Sequence, residues 1–273
     1  MTRESLIPLF MQKLLDKAIK AALAAAVEIM DVYENQDFSV QTKADDSPLT
    51  TADLRAHDTI KQFLGKSDLP ILSEEGGDIP YEERAQWQRF WLVDPLDGTK
   101  EFIKRNGEFT VNIALIESSK AVLGVVYAPV LKQIYYGDIV NGAFTAGEVS
   151  PADTPLTIAQ RARKLPLAYP GDTLNVVASK SHLNEETGSF IANLEKESTR
   201  PVKTLNIGSS LKLCLVAEGR AEIYPRFGPT MEWDTAAGHA VVKAAGKNVR
   251  HAGTNQELQY NKEDLLNPFF IVR

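Results

Sequence analysis

The sequence predicts a layered α/β fold of the mixed (α+β) type, and three observations point to it. A segment rich in Ala, Leu and Lys opens the chain and predicts a long helix over about residues 10–33. Short apolar strands are grouped in the rest of the first half, whereas strands and helices alternate in the second half. Such an order is typical of helices packed on sheets in layers. The chain has 273 residues, 44% of them hydrophobic, and is long enough to bury a substantial core.

The first half is predicted to form an N-terminal α+β sub-domain over residues 1–150. After the first helix, residues 35–50 are polar and turn-rich, and a second helix runs from residue 51 or 52 to 64 with Asp53 in its first turn. Pro95 has no backbone N–H and is predicted to end one of the strands. The predicted strands of this half are 69–73, 90–94, 110–116, 121–127 and 133–136.

The second half is predicted to form a C-terminal α/β sub-domain over residues 151–273. A loop-rich stretch from about 146 to 173 marks the boundary between the two sub-domains, which we expect to pack as one compact unit. The predicted strands of this half are 174–178 and 221–224, and its predicted helices are 183–196, 209–218 and 234–245.

The composition excludes several classes of protein. The net charge is −6 and the chain has no basic block, so nucleic acid is not expected as a partner. The single cysteine, Cys214, excludes an intrachain disulfide and suits a reducing cytoplasm. Because it lies in an apolar run, we expect it to be buried rather than nucleophilic.

The N-terminal helix decides what is expected of membranes. Its most apolar piece, residues 21–27, is too short and interrupted for a membrane span. Early acidic residues such as Glu4 and Asp16 argue against a signal peptide. The helix is therefore expected to dock on the core of a cytoplasmic protein, and peripheral contact with the cytoplasmic side of the inner membrane stays open as an alternative.

The most informative local feature is an acidic corner after the apolar run 90–93. Asp94 and Asp97 stand three residues apart, Pro95 stops the strand, and Gly98 permits a sharp bend. Negative charge is thereby fixed at the carboxyl end of a strand, where α/β proteins usually place ligands. Hard oxygen ligands at a rigid corner suit Mg²⁺.

Three further acids stand at predicted turns or element ends, and each has a structural alternative. Asp45 can be a turn former, Glu74 a solvated loop charge, and Asp234 the cap of a helix. Taken together with the corner, however, these carboxylates, a backbone carbonyl and waters can hold two Mg²⁺ ions for displacement at phosphorus. The N–H groups of Gly98 and Thr99 can contact phosphate oxygens, and the Thr99 hydroxyl can orient a water.

Three motifs carry a resemblance to a known family: Glu74-Glu75, Asp94-Pro95-Leu96-Asp97-Gly98-Thr99 and Trp233-Asp234-Thr235-Ala236-Ala237-Gly238. The chain resembles the inositol monophosphatase superfamily of Mg²⁺-dependent, lithium-sensitive phosphatases, which implies an αβαβα sandwich of the sugar-phosphatase type. Within it, the chain is similar to the branch of bisphosphate nucleotidases through residues 43–50, 177–182, 208–212 and 217–234.

The resemblance implies a set of metal ligands. One Mg²⁺ is expected on Glu74, Asp94 and the Leu96 carbonyl, and a second on Asp94, Asp97 and Asp234. Most of these ligands belong to the predicted N-terminal sub-domain, and Asp234 belongs to the C-terminal one.

The resemblance also implies catalytic and substrate contacts. Asp45, Thr99 and Glu74 are expected to position or activate the attacking water, and a third, weaker Mg²⁺ is expected beside Asp45. From the residues alone, Lys212 can equally bind a phosphate or lay its aliphatic stem along apolar side chains. Arg226 can equally be a substrate contact or a structural salt-bridge partner. The substrate-binding residues that the resemblance implies are Glu74, Leu96, Asp97, Gly98, Thr99, Ser209, Ser210, Lys212, Arg226 and Asp234.

The implied activity is Mg²⁺-dependent hydrolysis of the 3′-phosphate of adenosine 3′,5′-bisphosphate, giving AMP and phosphate. The 3′-phosphorylated adenylyl sulfate is an expected second substrate, and clearance of a sulfate-assimilation by-product is the expected context. Two alternatives stay open: a phosphatase for inositol phosphate or fructose 1,6-bisphosphate on the same fold, and a non-catalytic protein that binds a phosphate ligand. The second predicts the loss of a metal ligand, whereas this chain keeps all of them.

Overall fold

The computed structural model describes residues 3–35, 40–42, 48–169, 171–178 and 184–273. The predicted site residue Asp45 and most of the motif 177–182 lie outside the described residues. The helices are α1 (Arg3–Asn35), α2 (Thr51–Leu64), α3 (Tyr81–Arg84), α4 (Thr99–Ile103), α5 (Pro155–Arg161), α6 (Glu185–Glu197), α7 (Leu211–Glu218) and α8 (Glu232–Ala244). The strands are β1 (Val40–Thr42), β2 (Pro48–Thr50), β3 (Ile71–Ser73), β4 (Arg89–Asp97), β5 (Thr110–Glu117), β6 (Lys120–Ala128), β7 (Gln133–Asp138), β8 (Gly142–Ala146), β9 (Arg163–Lys164), β10 (Leu174–Ala178), β11 (Val202–Asn206), β12 (Tyr224–Arg226), β13 (Val249–His251) and β14 (Phe270–Val272).

A seven-stranded sheet in the described part of the chain forms the centre of the molecule. Its order is β3-β4-β5-β6-β7-β8-β9; β3 and β4 are parallel, and the other neighbours are antiparallel. Helices cover both faces, so the central strands are apolar on both faces rather than alternating. The mixed α/β fold class predicted from the sequence is thus confirmed.

Alternate residues of β4 show how the two layers are built. Trp91 and Val93 pack in the core that includes α1 and α2, whereas Phe90 and Leu92 pack in the core that includes α7 and α8. This follows from the two-residue period of a strand. One strand therefore sits between helices from both ends of the chain, and its carboxyl end carries the acidic corner.

Close contact between α8 and the sheet fixes the position of that helix. Gly124 on β6 lies directly under α8, and an added Cβ there would overlap the carbonyl oxygen of Ala237. A larger residue at this position would push the helix away from the sheet. Helix α8 thereby brings the start of its first turn, including Asp234, to the end of the sheet where β4 ends.

The C-terminal half adds two small sheets. Strands β10 and β11 pair in parallel, and β14 lies between β12 and β13 in an antiparallel sheet. Helices α7 and α8 share one core with β4, as expected if the two predicted sub-domains pack as one unit. The boundary at residue 150 stays a prediction. None of the described helices is both long enough and apolar enough to cross a bilayer.

Several local predictions were wrong. Strand β4 does not end at Asp94 but runs through Pro95 to Asp97, because the register shifts between Asp94 and Asp97. In such a bulge Pro95 is spared the ladder hydrogen bond that it cannot make. Helix α5 lies inside the stretch predicted as loop, where Thr154 caps it and Pro155 is its first residue.

Other elements differ in their bounds. Helix α1 begins at Arg3 rather than near residue 10. The last predicted strand, 221–224, is displaced toward the C-terminus and becomes β12, because Tyr224 and Arg226 pair with β14, an element that local pattern did not indicate. The predicted neighbours β5, β6 and β7 are confirmed.

Candidate active site

The acidic corner is held by its own backbone. Asp94 is 1% exposed, and its Oδ1 accepts a hydrogen bond of 3.1 Å from the N–H of Leu96. Gly98 has φ +93°, a conformation that favours glycine, and α4 begins directly after it. A Cβ at Gly98 would lie 3.3 Å from the carbonyl oxygen of Glu108, so the next loop also confines the turn.

Two carboxylates from remote segments, Glu74 and Asp234, join Asp94 and Asp97 at this corner. Burial raises the pKa of the Asp94 carboxyl well above its usual range, and the charges of Glu74, Asp97 and Asp234 raise it further. Burial, Asp97 and Glu74 likewise raise the pKa of Asp234 to about 8. The backbone N–H of Glu74 donates to the carbonyl oxygen of Val93 over 3.1 Å, which ties the turn after β3 to β4.

These acids, all in the described part of the chain, form a cluster of like charges, and their side chains are not arranged in the geometry of a metal-coordination site. Among the described residues, no three Asp, Glu, His or Cys side chains stand in a ready-made arrangement for a metal ion. The chemistry of the donors nevertheless fits a hard divalent cation, because all are oxygens and several share a buried, mutually repelling environment. The carboxylates that the sequence predicted as metal ligands, apart from any contribution of Asp45, are therefore brought to one place.

A residue that the sequence analysis did not assign to the site contacts Thr99. The Thr99 hydroxyl lies 3.2 Å from Oδ1 of Asp53 and 3.3 Å from the carbonyl oxygen of Leu96. Asp53 is 1% exposed, and its Oδ2 accepts from the N–H (2.7 Å) and hydroxyl (2.6 Å) of Thr50. One oxygen of Asp53 closes the capping box of α2 while the other faces Thr99.

The only sequence signal for Asp53 was its place in the first turn of a helix. That place explains its capping role, but the contact with Thr99 depends on how α2 packs against the β4 corner. The predicted partner of Thr99, Asp45, lies outside the described residues.

A cleft of about 310 Å³ opens beside the corner. It gathers seven predicted site residues: Asp97, Gly98, Ser209, Ser210, Lys212, Arg226 and Asp234. Four others, Glu74, Asp94, Leu96 and Thr99, do not line it. Four further lining residues lie in motifs that carry the family resemblance but were not assigned to the site: Gly208, Tyr224, Thr230 and Thr235. Its other lining residues, which the sequence analysis missed, are Glu101, Lys104, Asn106, Glu108, Ile207, Leu213 and Phe270.

Lys212 lies in the wall of the cleft and is 9% exposed. Its Nζ donates to the carbonyl oxygen of Ser209 over 2.7 Å. Burial lowers the pKa of Lys212, while the charge of Asp97 opposes that change. Ser209 has φ +49°, a left-handed conformation that is uncommon for a residue with a side chain. The buried ammonium group thus holds a strained turn at the start of α7.

Arg226 supplies a second positive charge to the cleft. One terminal nitrogen donates to the carbonyl oxygen of Pro229 over 2.8 Å, and Nε is buried with no hydrogen-bond partner among the described residues. Because a buried donor without a partner is unfavourable, Nε indicates unused capacity to bind an acceptor. Within the described part of the chain, Arg226 Nε therefore does not take part in the structural salt bridge that the sequence left open as an alternative for this residue.

Comparison with known proteins identifies the family. Residues 11–269 match the Inositol monophosphatase family, and the chain belongs to it. The chain is 48% identical over 264 residues to the 3′(2′),5′-bisphosphate nucleotidase CysQ of Salmonella typhimurium, across 95% of this chain and 99% of that protein. It is 47% identical over 264 residues to the protein of the same name from Escherichia coli strain K12, with the same coverage.

Solved structures agree with this assignment. The crystal structure of CysQ from Bacteroides thetaiotaomicron, described as a bacterial member of the inositol monophosphatase family, matches with a TM-score of 0.88 and 48% identity over 97% of this chain and 98% of that chain. An IMPase from Thermotoga maritima matches with a TM-score of 0.72 and 26% identity over 95% and 91% of the two chains. The family resemblance read from the motifs is thus confirmed.

Proposed function

We propose that the protein is a phosphomonoesterase that removes the 3′-phosphate of adenosine 3′,5′-bisphosphate and releases AMP and phosphate. The observation that carries this proposal is the convergence of Glu74, Asp94, Asp97 and Asp234 beside a cleft that three cationic side chains also line: Lys104, Lys212 and Arg226. Acids alone would repel a polyanion, whereas acids that bind cations, next to Lys212 and Arg226, suit one. The names of the relatives support the same substrate class.

The metal assignment is part of the proposal. Glu74, Asp94 and the Leu96 carbonyl would hold one Mg²⁺, Asp94, Asp97 and Asp234 a second, and a third, weaker ion would lie beside Asp45. Bound Mg²⁺ supplies positive charge that neutralises the phosphate and acidifies nearby water. Sensitivity to lithium is expected for the same reason, because Li⁺ competes for oxygen ligands without supplying a second charge.

Thr99 and Asp53 are expected to position the attacking water and accept its proton. When the Thr99 hydroxyl donates to Asp53, its lone pairs face away from that bond and can accept a hydrogen bond from a water. Asp53, held by Thr50, orients the hydroxyl and can receive the proton relayed through it as the water oxygen bonds to phosphorus. The bond to the 3′ oxygen breaks at the same time, and that oxygen takes a proton from a solvent water to give the 3′-hydroxyl of AMP. Asp45 is expected to assist at the same place.

The remaining contacts hold the substrate. The backbone N–H groups of Gly98 and Thr99 are expected to bind the scissile phosphate. Ser209, Lys212 and Arg226 are expected to bind the nucleotide and its second phosphate, because two of them bring positive charge to the cleft. The 3′-phosphorylated adenylyl sulfate presents the same 3′-phosphate and is an expected second substrate. We place the reaction in the cytoplasm during sulfate assimilation, where the buried thiol of Cys214 stays reduced.

A substrate panel tests the proposal. Purified protein with Mg²⁺ is given adenosine 3′,5′-bisphosphate, inositol 1-phosphate or fructose 1,6-bisphosphate, and products are separated by chromatography. We expect the highest kcat/KM for the adenosine bisphosphate, with 5′-AMP as the product. Preferred hydrolysis of either sugar phosphate, or release of the 5′-phosphate, would reject the proposed substrate. Binding without turnover would indicate a non-catalytic protein.

A further inference from the structure

We propose that Ser210 is a positioning residue that joins Asp97 to the first turn of α8, rather than a contact to the nucleotide. This inference rests on the proposed function of the cleft, because it concerns how that site is held together. Ser210 is 2% exposed although it borders the cleft, so little of its surface faces a ligand.

The Ser210 hydroxyl has three polar neighbours within hydrogen-bond distance. Its Oγ lies 2.7 Å from Oδ2 of Asp97, 2.8 Å from the carbonyl oxygen of Asp234 and 2.8 Å from Nδ2 of Asn112. Asn112 also lies near Asp97, with 3.4 Å between Nδ2 and Oδ2. One hydroxyl at the start of α7 therefore connects β4, β5 and α8, and its partners lie up to 113 positions from Ser210 in sequence.

The Ser210 hydroxyl has no proton left to donate to a phosphate oxygen of a ligand. A serine has one proton to give and two lone pairs to receive with. The Asn112 amide donates to it, and its own proton can lie between the Asp97 carboxylate and the Asp234 carbonyl in a three-centre hydrogen bond. These two acceptors compete for one proton, and a hydrogen bond to the ionised group is the stronger of the two.

The consequence concerns the spacing of two carboxylates that repel each other. Oδ2 of Asp97 and the backbone carbonyl of Asp234 both lie within 2.8 Å of the Ser210 hydroxyl, so the two acidic residues are held next to each other. Ser210 bridges the side chain of one and the backbone of the other, and it resists their separation without adding charge. Partners one step removed from metal ligands typically set ligand orientation and affinity in this way.

The test compares Ser210→Ala with a matched loss of a buried hydroxyl elsewhere. Thr145 on β8 is 0% exposed, donates to the carbonyl oxygen of Ile134 over 2.9 Å, and does not line the cleft. Mg²⁺ binding to the full chain is measured by calorimetry, and KM for adenosine 3′,5′-bisphosphate is measured at saturating Mg²⁺. Ser210→Ala is expected to weaken Mg²⁺ binding by about 10–100-fold. Thr145→Val is expected to leave it unchanged, and KM is expected to stay near the wild-type value in both.

Two further variants keep the test decisive if Ser210→Ala folds poorly. Asn112→Ala removes the donor to the hydroxyl and is expected to weaken Mg²⁺ binding in the same direction. Ser210→Thr keeps a hydroxyl and is expected to recover most of the affinity. Because both residues act through Asp97, the double variant Asn112→Ala/Ser210→Ala is expected to be weaker by less than the product of the single effects.

Each other outcome has a definite meaning. A large rise in KM with unchanged Mg²⁺ affinity would make Ser210 a nucleotide contact and overturn the inference, as would an unchanged Ser210→Ala variant. If wild-type protein binds Mg²⁺ but does not hydrolyse the bisphosphate, the proposed substrate fails, while a weakened Ser210→Ala variant still supports positioning. Wild-type protein that binds no Mg²⁺ would overturn both.

Discussion

Two acidic residues in the first turn of α8 differ in how their charge is neutralised. Glu232 is 0% exposed, and its carboxylate accepts hydrogen bonds from Lys262 and from the backbone N–H groups of Asn261 (2.5 Å) and Lys262 (3.0 Å). Burial raises the pKa of Glu232, and Lys262 counters part of that rise. The protein itself supplies the positive charge that this residue needs.

Asp234, two residues later, faces the cleft among other acids. Its Oδ2 accepts a 2.8 Å hydrogen bond from the N–H of Met231, yet Asp97 and Glu74 push its pKa up and the charge of Arg226 offsets little of that. The charge of Glu232 is therefore compensated within the fold, whereas Asp234 and its neighbours raise the energy of the fold until a cation joins them. Repulsion retained at one point of a stable scaffold is typical of functional sites.

The largest expected effect comes from Asp94→Asn. Loss of this central carboxylate is expected to lower kcat by about 1,000-fold or more, because several kcal/mol of metal-derived charge stabilisation depend on it. The Tm of the Mg²⁺-free protein is expected to rise, because the substitution removes repulsion from Glu74, Asp97 and Asp234 while its amide oxygen still accepts from Leu96. Phosphate-release assays and melting curves in EDTA check both. Wild-type activity of Asp94→Asn, or a Tm in EDTA below that of the wild type, would contradict the contrast between Glu232 and the acids around Asp94.

Next in size is the loss of the Thr99 hydroxyl. Thr99→Ala is expected to reduce kcat by about 100-fold, in the range typical of acid–base groups, because no hydroxyl then links Asp53 to the water. Thr99→Ser keeps the hydroxyl and is its matched control, with most activity retained. Steady-state kinetics at saturating Mg²⁺ separate the two. Equal activity of the Ala and Ser variants would exclude a role for the hydroxyl.

Glu232→Gln is expected to act in the opposite sense from Asp94→Asn. It removes the partner of Lys262 from a buried position and should lower the free energy of unfolding by about 1–3 kcal/mol. Affinity for Mg²⁺ should change little, because the carboxylate does not line the cleft. Denaturant titrations measure the first effect and calorimetry the second. An unchanged unfolding midpoint would show that the pair does not stabilise the fold.

The smallest expected effect is on the pH dependence of stability, through Glu257, an acid whose charge is balanced by neighbouring side chains. His239, 3.4 Å from Glu257, and Lys243, 2.7 Å from it, lower the pKa of Glu257 from 4.5 to about 2. Because the folded-state pKa is the lower one, the stabilisation is complete above about pH 4.5 and is lost as pH falls toward about 2.

Glu257→Gln measures this contribution. Its side chain is 35% exposed, so solvent screening keeps the expected loss of stability at pH 7 below about 1 kcal/mol. The gap in Tm between wild type and variant should shrink as the pH falls below about 4.5. A gap that widens on acidification would mean that the cause of the shift is wrongly assigned.

Local chemistry predicted part of the site and not the rest. The corner from Asp94 to Thr99 could be read from the sequence, because a turn chemistry of Pro and Gly next to two acids is a local signal. Its backbone path was misread: Pro95 stays in β4, because a bulge frees it from the hydrogen-bond ladder. The convergence of Glu74 and Asp234 on that corner depends on packing, so the residues alone left structural alternatives open for both, and the family resemblance favoured the shared site.

The wall of the cleft shows the same limit. Lys104 and Asn106 line it from the loop after α4, where no periodicity or motif marks them. Asp53 could be predicted as a capping residue but not as the partner of Thr99, because that contact joins two elements 46 positions apart. Likewise the partners of Ser210 come from three other elements, so its motif alone could not reveal its role.

The most direct test of the central claim is a calorimetric titration of Mg²⁺ into wild type, Asp234→Asn and Asp138→Asn. Asp138 is a 0% exposed aspartate whose oxygens accept from the N–H groups of Val140 (2.8 Å) and Asn141 (2.9 Å), so it controls for loss of a buried charge. Saturable binding is expected of wild type and Asp138→Asn, and in Asp234→Asn the proposed second Mg²⁺ site, to which Asp234 contributes a ligand, is expected to be lost. Equal Mg²⁺ binding by all three proteins would contradict this expectation.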